Sequence, residues 1–96
     1  MRRVLWHAEA SADIISIFDY FAERDERGAV LLVQRIEATV EALARRDTGR
    51  PARMPKLREK SVPRTRYLIA YRIRGNELII LRIIHSSQNW TSKRWP

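Results

Sequence analysis

Ninety-six residues make one domain, 1–96, with an adequate but small core. The chain has no cysteine, which excludes a disulfide framework and a thiolate zinc site and suits a reducing compartment. Its formal charge of +8 is uneven: residues 1–44 carry a net of −3, with 5 Lys/Arg against 8 Asp/Glu, and residues 45–96 carry a net of +11, with 14 against 3. Such asymmetry points the C-terminal half towards nucleic acid or an acidic protein.

The N-terminus, Met1-Arg2-Arg3-Val4-Leu5-Trp6, reaches an acid at Glu9, too soon for the apolar region of a signal peptide. No stretch approaches the ~18 apolar residues of a membrane span. A cytoplasmic protein with no membrane partner is the expectation.

Arg2–Trp6 reads as a first strand, with Val4 and Trp6 on one side. Helical spacing follows: Ile14, Ile17, Phe18 and Phe21 share a face, and Asp13, Ser16, Asp19, Tyr20 and Glu23 form the polar stripe. The charged, Gly-containing run Arg24-Asp25-Glu26-Arg27-Gly28 reads as a turn. A second helix is expected over Ala29–Arg45, with Ala29, Leu32, Val33, Ile36, Val40 and Leu43 in phase. The two make an αα-hairpin.

From Asp47 to Pro55 turn formers dominate, and Lys56–Lys60 supplies a short strand before Pro63. Two longer runs, Arg66–Ile73 and Glu77–His85, flank the break Arg74-Gly75-Asn76 and read as a β-hairpin. In the first, Tyr67, Ile69, Tyr71 and Ile73 alternate with Leu68, Ala70, Arg72 and Arg74, which gives one packed face and one basic face. The second is nearly all apolar, as a strand covered on both sides should be. The fold class is therefore α+β: an N-terminal strand, then an αα-hairpin on one face of a small, mostly antiparallel sheet.

His7 and His85, at opposite ends of the chain, offer no metal site, and no Gly-rich loop or cofactor motif is present. Ser86 and Ser87 beside His85 do not resemble a nucleophile turn. One enzyme class fits the residues: metal-free RNA cleavage, with His85 as acid or base and Arg58, Arg66 and Arg82, joined by Lys56 and Arg72, holding phosphate. No carboxylate near the hairpin is an evident general base, so binding is the expectation ahead of catalysis.

The helices also carry apolar residues out of phase. Ile15 lies about 100° from the apolar face of the first helix, with Ala12 and Ala22 on the same flank. Leu31 points about 160° from the apolar stripe of the second. Together they suggest a groove for an apolar partner segment. In the tail, Trp90 and Trp95 interleave with Lys93 and Arg94, a pattern suited to stacking on bases or anchoring a protein contact.

In order and length the chain resembles the RelE/ParE superfamily of bacterial type II toxins. The resemblance rests on the opening strand followed by Ala8 and Ala10 to Ile17, on Gly49-Arg50-Pro51, on Leu57-Arg58-Glu59, on Tyr67-Leu68-Ile69-Ala70-Tyr71-Arg72, and on Ile79 to His85 before Trp90. Ser86 stands where the family commonly has Gly, and the tail runs on through Trp95-Pro96. RelE-like members cleave messenger RNA on the ribosome; ParE-like members inhibit DNA gyrase and lack the nuclease set. The ending Arg82…His85 before a Trp resembles the ParE side. The resemblance implies a gyrase contact through Arg72, Arg82, His85, Trp90, Lys93, Arg94 and Trp95. It also implies a hetero-oligomer with an acidic, partly disordered antitoxin, which fits the two features read independently from the residues: the out-of-phase Ala12, Ile15, Ala22 and Leu31 as its docking groove, and the basic sheet for its remaining segment.

Overall fold

A computed structural model describes residues 1–87. In chain order it contains β1 (Arg3–Trp6), α1 (Ala8–Ala22), α2 (Glu26–Arg45), β2 (Arg50–Pro51), β3 (Arg58–Ser61), β4 (Tyr67–Arg74) and β5 (Glu77–His85). This is the expected α+β order. The strands lie in the sequence β1-β5-β4-β3-β2. β1 runs parallel to β5, and the remaining pairs are antiparallel.

The helices begin where a side chain can satisfy the first backbone donors. His7 caps α1, its Nδ1 accepting from the Glu9 N–H at 3.2 Å. Asp25 caps α2, its carboxylate accepting from the Gly28 N–H at 3.0 Å. The expected break at 24–28 is therefore too long, since the helix is already running at Glu26. Charge and glycine imitate a loop, but Gly28 sits in the first helical turn and donates to its cap. At the other end of α2, the Ala44 carbonyl accepts from the Arg2 N–H at 2.8 Å, which joins the last helical turn to the start of the sheet.

The core lies between the helical hairpin and the sheet. Ala10 and Ile17 meet Ile36, Val40 and Leu43 above Ile69, Tyr71, Leu78, Ile80 and Ile83. Burying each large side chain stabilises the fold by roughly 1.5–3 kcal/mol. Tyr67, Ile69, Tyr71 and Ile73 belong to or pack against this core, as the alternation predicts. The opposite face is divided: Arg72 and Arg74 are exposed, whereas Ala70 and Ile84 are buried. The expected basic face is thus confined, on β4, to the end near the hairpin turn.

Strict alternation fails once along β5. Ala70 pairs with Arg82 and Tyr71 with Ile80, so Leu81 is an extra residue in a β-bulge. The bulge resets the pleat, which lets Ile80 and Ile83, three apart, both reach the core. At the turn, Gly75 adopts φ +60° between the paired Arg74 and Glu77, as a type II′ turn requires of its first central residue.

Arg50–Pro51 adds an edge strand within the stretch whose turn formers predict a loop, and β3 falls at Arg58–Ser61 rather than Lys56–Lys60. Proline lacks a ladder donor, which a strand at the sheet margin can do without. The loop entering β2 is clasped to the core. Tyr71 Oη donates to Asp47 Oδ1 at 2.5 Å, Arg58 Nε lies 3.0 Å from Asp47 Oδ2, and Arg58 Nη2 donates to the Gly49 carbonyl at 2.7 Å. A Cβ on Gly49 would lie 1.9 Å from the Tyr71 hydroxyl oxygen, so the loop can approach this closely only with glycine there. Gly49→Ala is expected to cost ~1–3 kcal/mol in urea unfolding, as overpacked sites do. Gly75→Ala meets open space and should cost roughly 1 kcal/mol, for its positive φ alone. A loss at Gly49 no greater than at Gly75 would contradict the clasp.

Candidate functional site

The helical flank presents the out-of-phase residues to solvent. Ile15 is 62% exposed and Leu31 54% exposed. Ala12 is exposed and Ala22 half-buried. Val30, 41% exposed, joins Leu31 beside Glu26 and Arg27 in a shallow depression on α2. No α1 residue lines that depression, so Ile15 and Leu31 do not share one pocket. Tyr20 adds an exposed aromatic with the Arg24 guanidinium 5.1 Å from its ring centroid. Sequence reasoning passed over Val30, which borders the in-phase stripe, and placed Tyr20 in the polar one.

The cations divide by what holds them. β1 pairs with β5 only as far as Trp6 opposite Ile80, yet β5 continues to His85. Beyond that point α1 supplies a carboxylate in place of a strand. Asp13 Oδ2 accepts from the Ile83 N–H at 2.9 Å and from Arg82 Nε at 2.8 Å, and Oδ1 accepts from Arg82 Nη2 at 3.0 Å. The hydrogen bonds to Asp13 outweigh burial and raise the Arg82 pKa. Asp47 holds Arg58 at 3.0 Å as Asp13 holds Arg82, and the Arg58 pKa is raised first by Tyr71 and then by Asp47, against burial. Burial pushes the Asp47 carboxyl up, but Tyr71, Arg58 and the Gly49 N–H together hold it below its usual value. Burial first, and then the bond to Asp47, push Tyr71 up to about 12.

The remaining predicted residues are more open. Arg72 is exposed on β4. His85 is half-buried at the end of β5; its Nδ1 lies 2.6 Å from Ser87 Oγ, and its ring packs edge-on to Tyr67 at 5.3 Å. Arg66 and His85 line one cleft. Of the set weighed for RNA cleavage, the structure therefore brings Arg66 to His85 and holds Arg58 and Arg82 against carboxylates of their own. Trp90, Lys93, Arg94 and Trp95 lie outside the described residues. Asp13 and Asp47 escaped the sequence reading because their partners are far along the chain. The one hint was Arg82, a charge inside an apolar strand that called for a counter-charge.

The sequence profile for the ParE toxin of the type II toxin–antitoxin system parDE matches residues 4–90. The chain belongs to the ParE toxin family. The Y4kP protein of Sinorhizobium fredii is 33% identical over 90 residues, which is 93% of each chain. A solved structure of the chromosomal ParDE system from P. aeruginosa superposes with a TM-score of 0.80 at 30% identity, covering 88% of this toxin and 96% of that chain. A chain of the solved YoeB–YefM toxin–antitoxin complex from Staphylococcus aureus shares the fold at TM-score 0.55 and 12% identity, over 85% of this toxin and 93% of that chain. Among the described residues, no helix is long and apolar enough to cross a membrane.

Two measurements test the clamps. Asp13→Ala removes the carboxylate that accepts from Arg82 and the Ile83 N–H and should cost roughly 2–3 kcal/mol, whereas Asp13→Leu with Arg82→Met should recover part of that loss. Urea unfolding that finds the double variant no better than the single one would contradict the assignment. For the Tyr71 clasp, pH is the probe. Because the folded state raises the Tyr71 pKa, its stabilisation is complete below the ordinary 10.0 and is lost as pH rises through about 12. Asp47, held low, contributes above the usual carboxylate value and loses that contribution as acid protonates it. Tyr71→Phe should flatten the alkaline fall in unfolding free energy; an unchanged profile would exclude Tyr71 as its source.

Proposed function

We propose that the toxin arrests growth in the cytoplasm by binding DNA gyrase rather than by cutting RNA, and that an acidic antitoxin neutralises it in a hetero-oligomer. Family membership across residues 4–90 carries the reading. The two clamps support binding over catalysis: Arg58 and Arg82, which a nuclease would turn towards phosphate, are engaged by Asp47 and Asp13. On this reading Arg72 offers an exposed cation to the target. Arg82 and His85 form the strand end behind it, and by sequence alone Trp90, Lys93, Arg94 and Trp95 extend the surface. Purified toxin should inhibit gyrase supercoiling in the absence of antitoxin. No inhibition at any reachable excess would remove the proposal.

One observation favours a second reading. Arg66 and His85 share a cleft, as a ribosome-dependent messenger RNA endoribonuclease would need. Primer extension after induction would then show cuts within codons. Growth arrest without such cuts would exclude it.

For the antitoxin, the exposed Ile15 and Leu31, flanked by Ala12 and Ala22, fit an amphipathic helix laid across α1 and α2. A net of +11 in the C-terminal half speeds association with an acidic chain. Buried apolar contacts hold the complex, so Leu31→Asp or Ile15→Asp should weaken binding about tenfold or more. That loss should depend little on salt and should far exceed the effect of Arg94→Ala. Unchanged affinity in folded Asp variants would place the antitoxin elsewhere.

A further inference from the structure

The cleft beside His85 carries chemistry that neither a gyrase contact nor an antitoxin contact uses. Arg35 of α2 and Arg64 and Arg66 of the turn before β4 all line it. Among the described residues, none of these guanidinium groups forms an ion pair, in contrast to Arg58 and Arg82. The acid at the rim, Asp25, is already engaged as the cap of α2. Like charges gathered in one cleft repel unless an anion shares them.

The turn that presents two of them is fixed. Thr65 Oγ1 donates to the Val62 carbonyl at 2.9 Å and accepts from the Tyr67 N–H at 3.0 Å. Within it Arg64 sits at φ +63°, in the left-handed region where an arginine is uncommon. A long cationic side chain held at such a position is the kind of local strain that collects at binding sites. Phe21, Leu32 and Tyr67 give the same cleft an apolar and aromatic lining. The space is about 290 Å³, near the lower bound of small-molecule sites.

We propose that this cleft is a nucleotide-binding site, with the phosphate held by Arg35, Arg64 and Arg66 and the nucleoside resting against Phe21, Leu32 and Tyr67. A phosphate monoester brings up to two negative charges and several acceptors to a cluster of guanidinium donors, whereas a side-chain carboxylate brings one charge. The apolar lining would be superfluous for a bare anion. The site goes beyond the proposed function and does not depend on it, since binding here requires neither gyrase nor cleavage. A free nucleotide and a nucleotide within a flexible single strand share this chemistry.

The test is amide NMR on the purified full-length toxin, titrated separately with adenosine 5′-monophosphate, inorganic phosphate, adenosine, a short single-stranded DNA and an aspartate-rich peptide. The monophosphate or the single strand should bind more tightly than phosphate or adenosine, with shifts centred on residues 64–67, Arg35 and His85. Whichever of the two binds more tightly names the source. Arg64→Ala should weaken binding about tenfold, the effect of losing one charged hydrogen-bond partner. Arg35→Ala, at an exposed helical position, should do the same without disturbing the turn, and Arg45→Ala should not. Equal affinity for phosphate and the monophosphate, equal loss in Arg45→Ala, or saturation by the acidic peptide alone would overturn the proposal.

Discussion

The carboxylate of Asp13 resolves a mismatch that the rest of the molecule depends on. β1 is shorter than β5, and their parallel pairing ends at Ile80. Past that point the β5 backbone must turn its donors to something other than a strand, because an unpaired buried donor is costly. Asp13, reaching from α1, takes the Ile83 N–H and the Arg82 guanidinium together. It therefore sets three things at once: the seat of α1 on the sheet, the position of β5 just after its bulge, and the placement of the strand end that carries His85.

The Asp47 clasp follows the same logic at the other side of the sheet. Together the two carboxylates sort the arginines of a strongly basic chain. Arg58 and Arg82 serve the fold, Arg72 and Arg74 are presented on the open end of β4, and Arg35, Arg64 and Arg66 surround a cleft. Net charge alone would have treated all of them as one patch. The scaffold thereby holds Arg72 and Arg74 exposed without losing their charge to internal pairs. The exposed apolar residues Ile15 and Leu31 lie on the helices, apart from the exposed arginines of β4.

Periodicity makes most of the fold readable in the sequence. Ile17, Ile36, Val40 and Leu43 fell in phase because a helix buries one stripe, and Ile69 and Tyr71 because a strand alternates. What stayed hidden were events that break a period or join distant residues. The bulge at Leu81 changes the phase of β5 without any local marker, since every neighbour is apolar. Gly28 and Pro51 read as breakers because their usual meaning ignores the cap at Asp25 and the sheet edge beside β3. Of the residues weighed for function, the exposure of Ile15 and Leu31 was legible from phase alone. The restraint on Arg58 and Arg82 was not, because Asp13 and Asp47 look like any polar surface residue until the chain folds.

The central proposal is that the antitoxin is anchored on the helical flank, whereas target inhibition uses the sheet. Measuring gyrase supercoiling inhibition and antitoxin affinity on the same two folded variants tests it most directly. Separate faces predict that Leu31→Asp still inhibits gyrase while escaping the antitoxin, and that Arg72→Glu loses inhibition while still binding the antitoxin. If each variant lost both activities in equal measure, the two faces would be one surface, and the division of labour described here would be wrong.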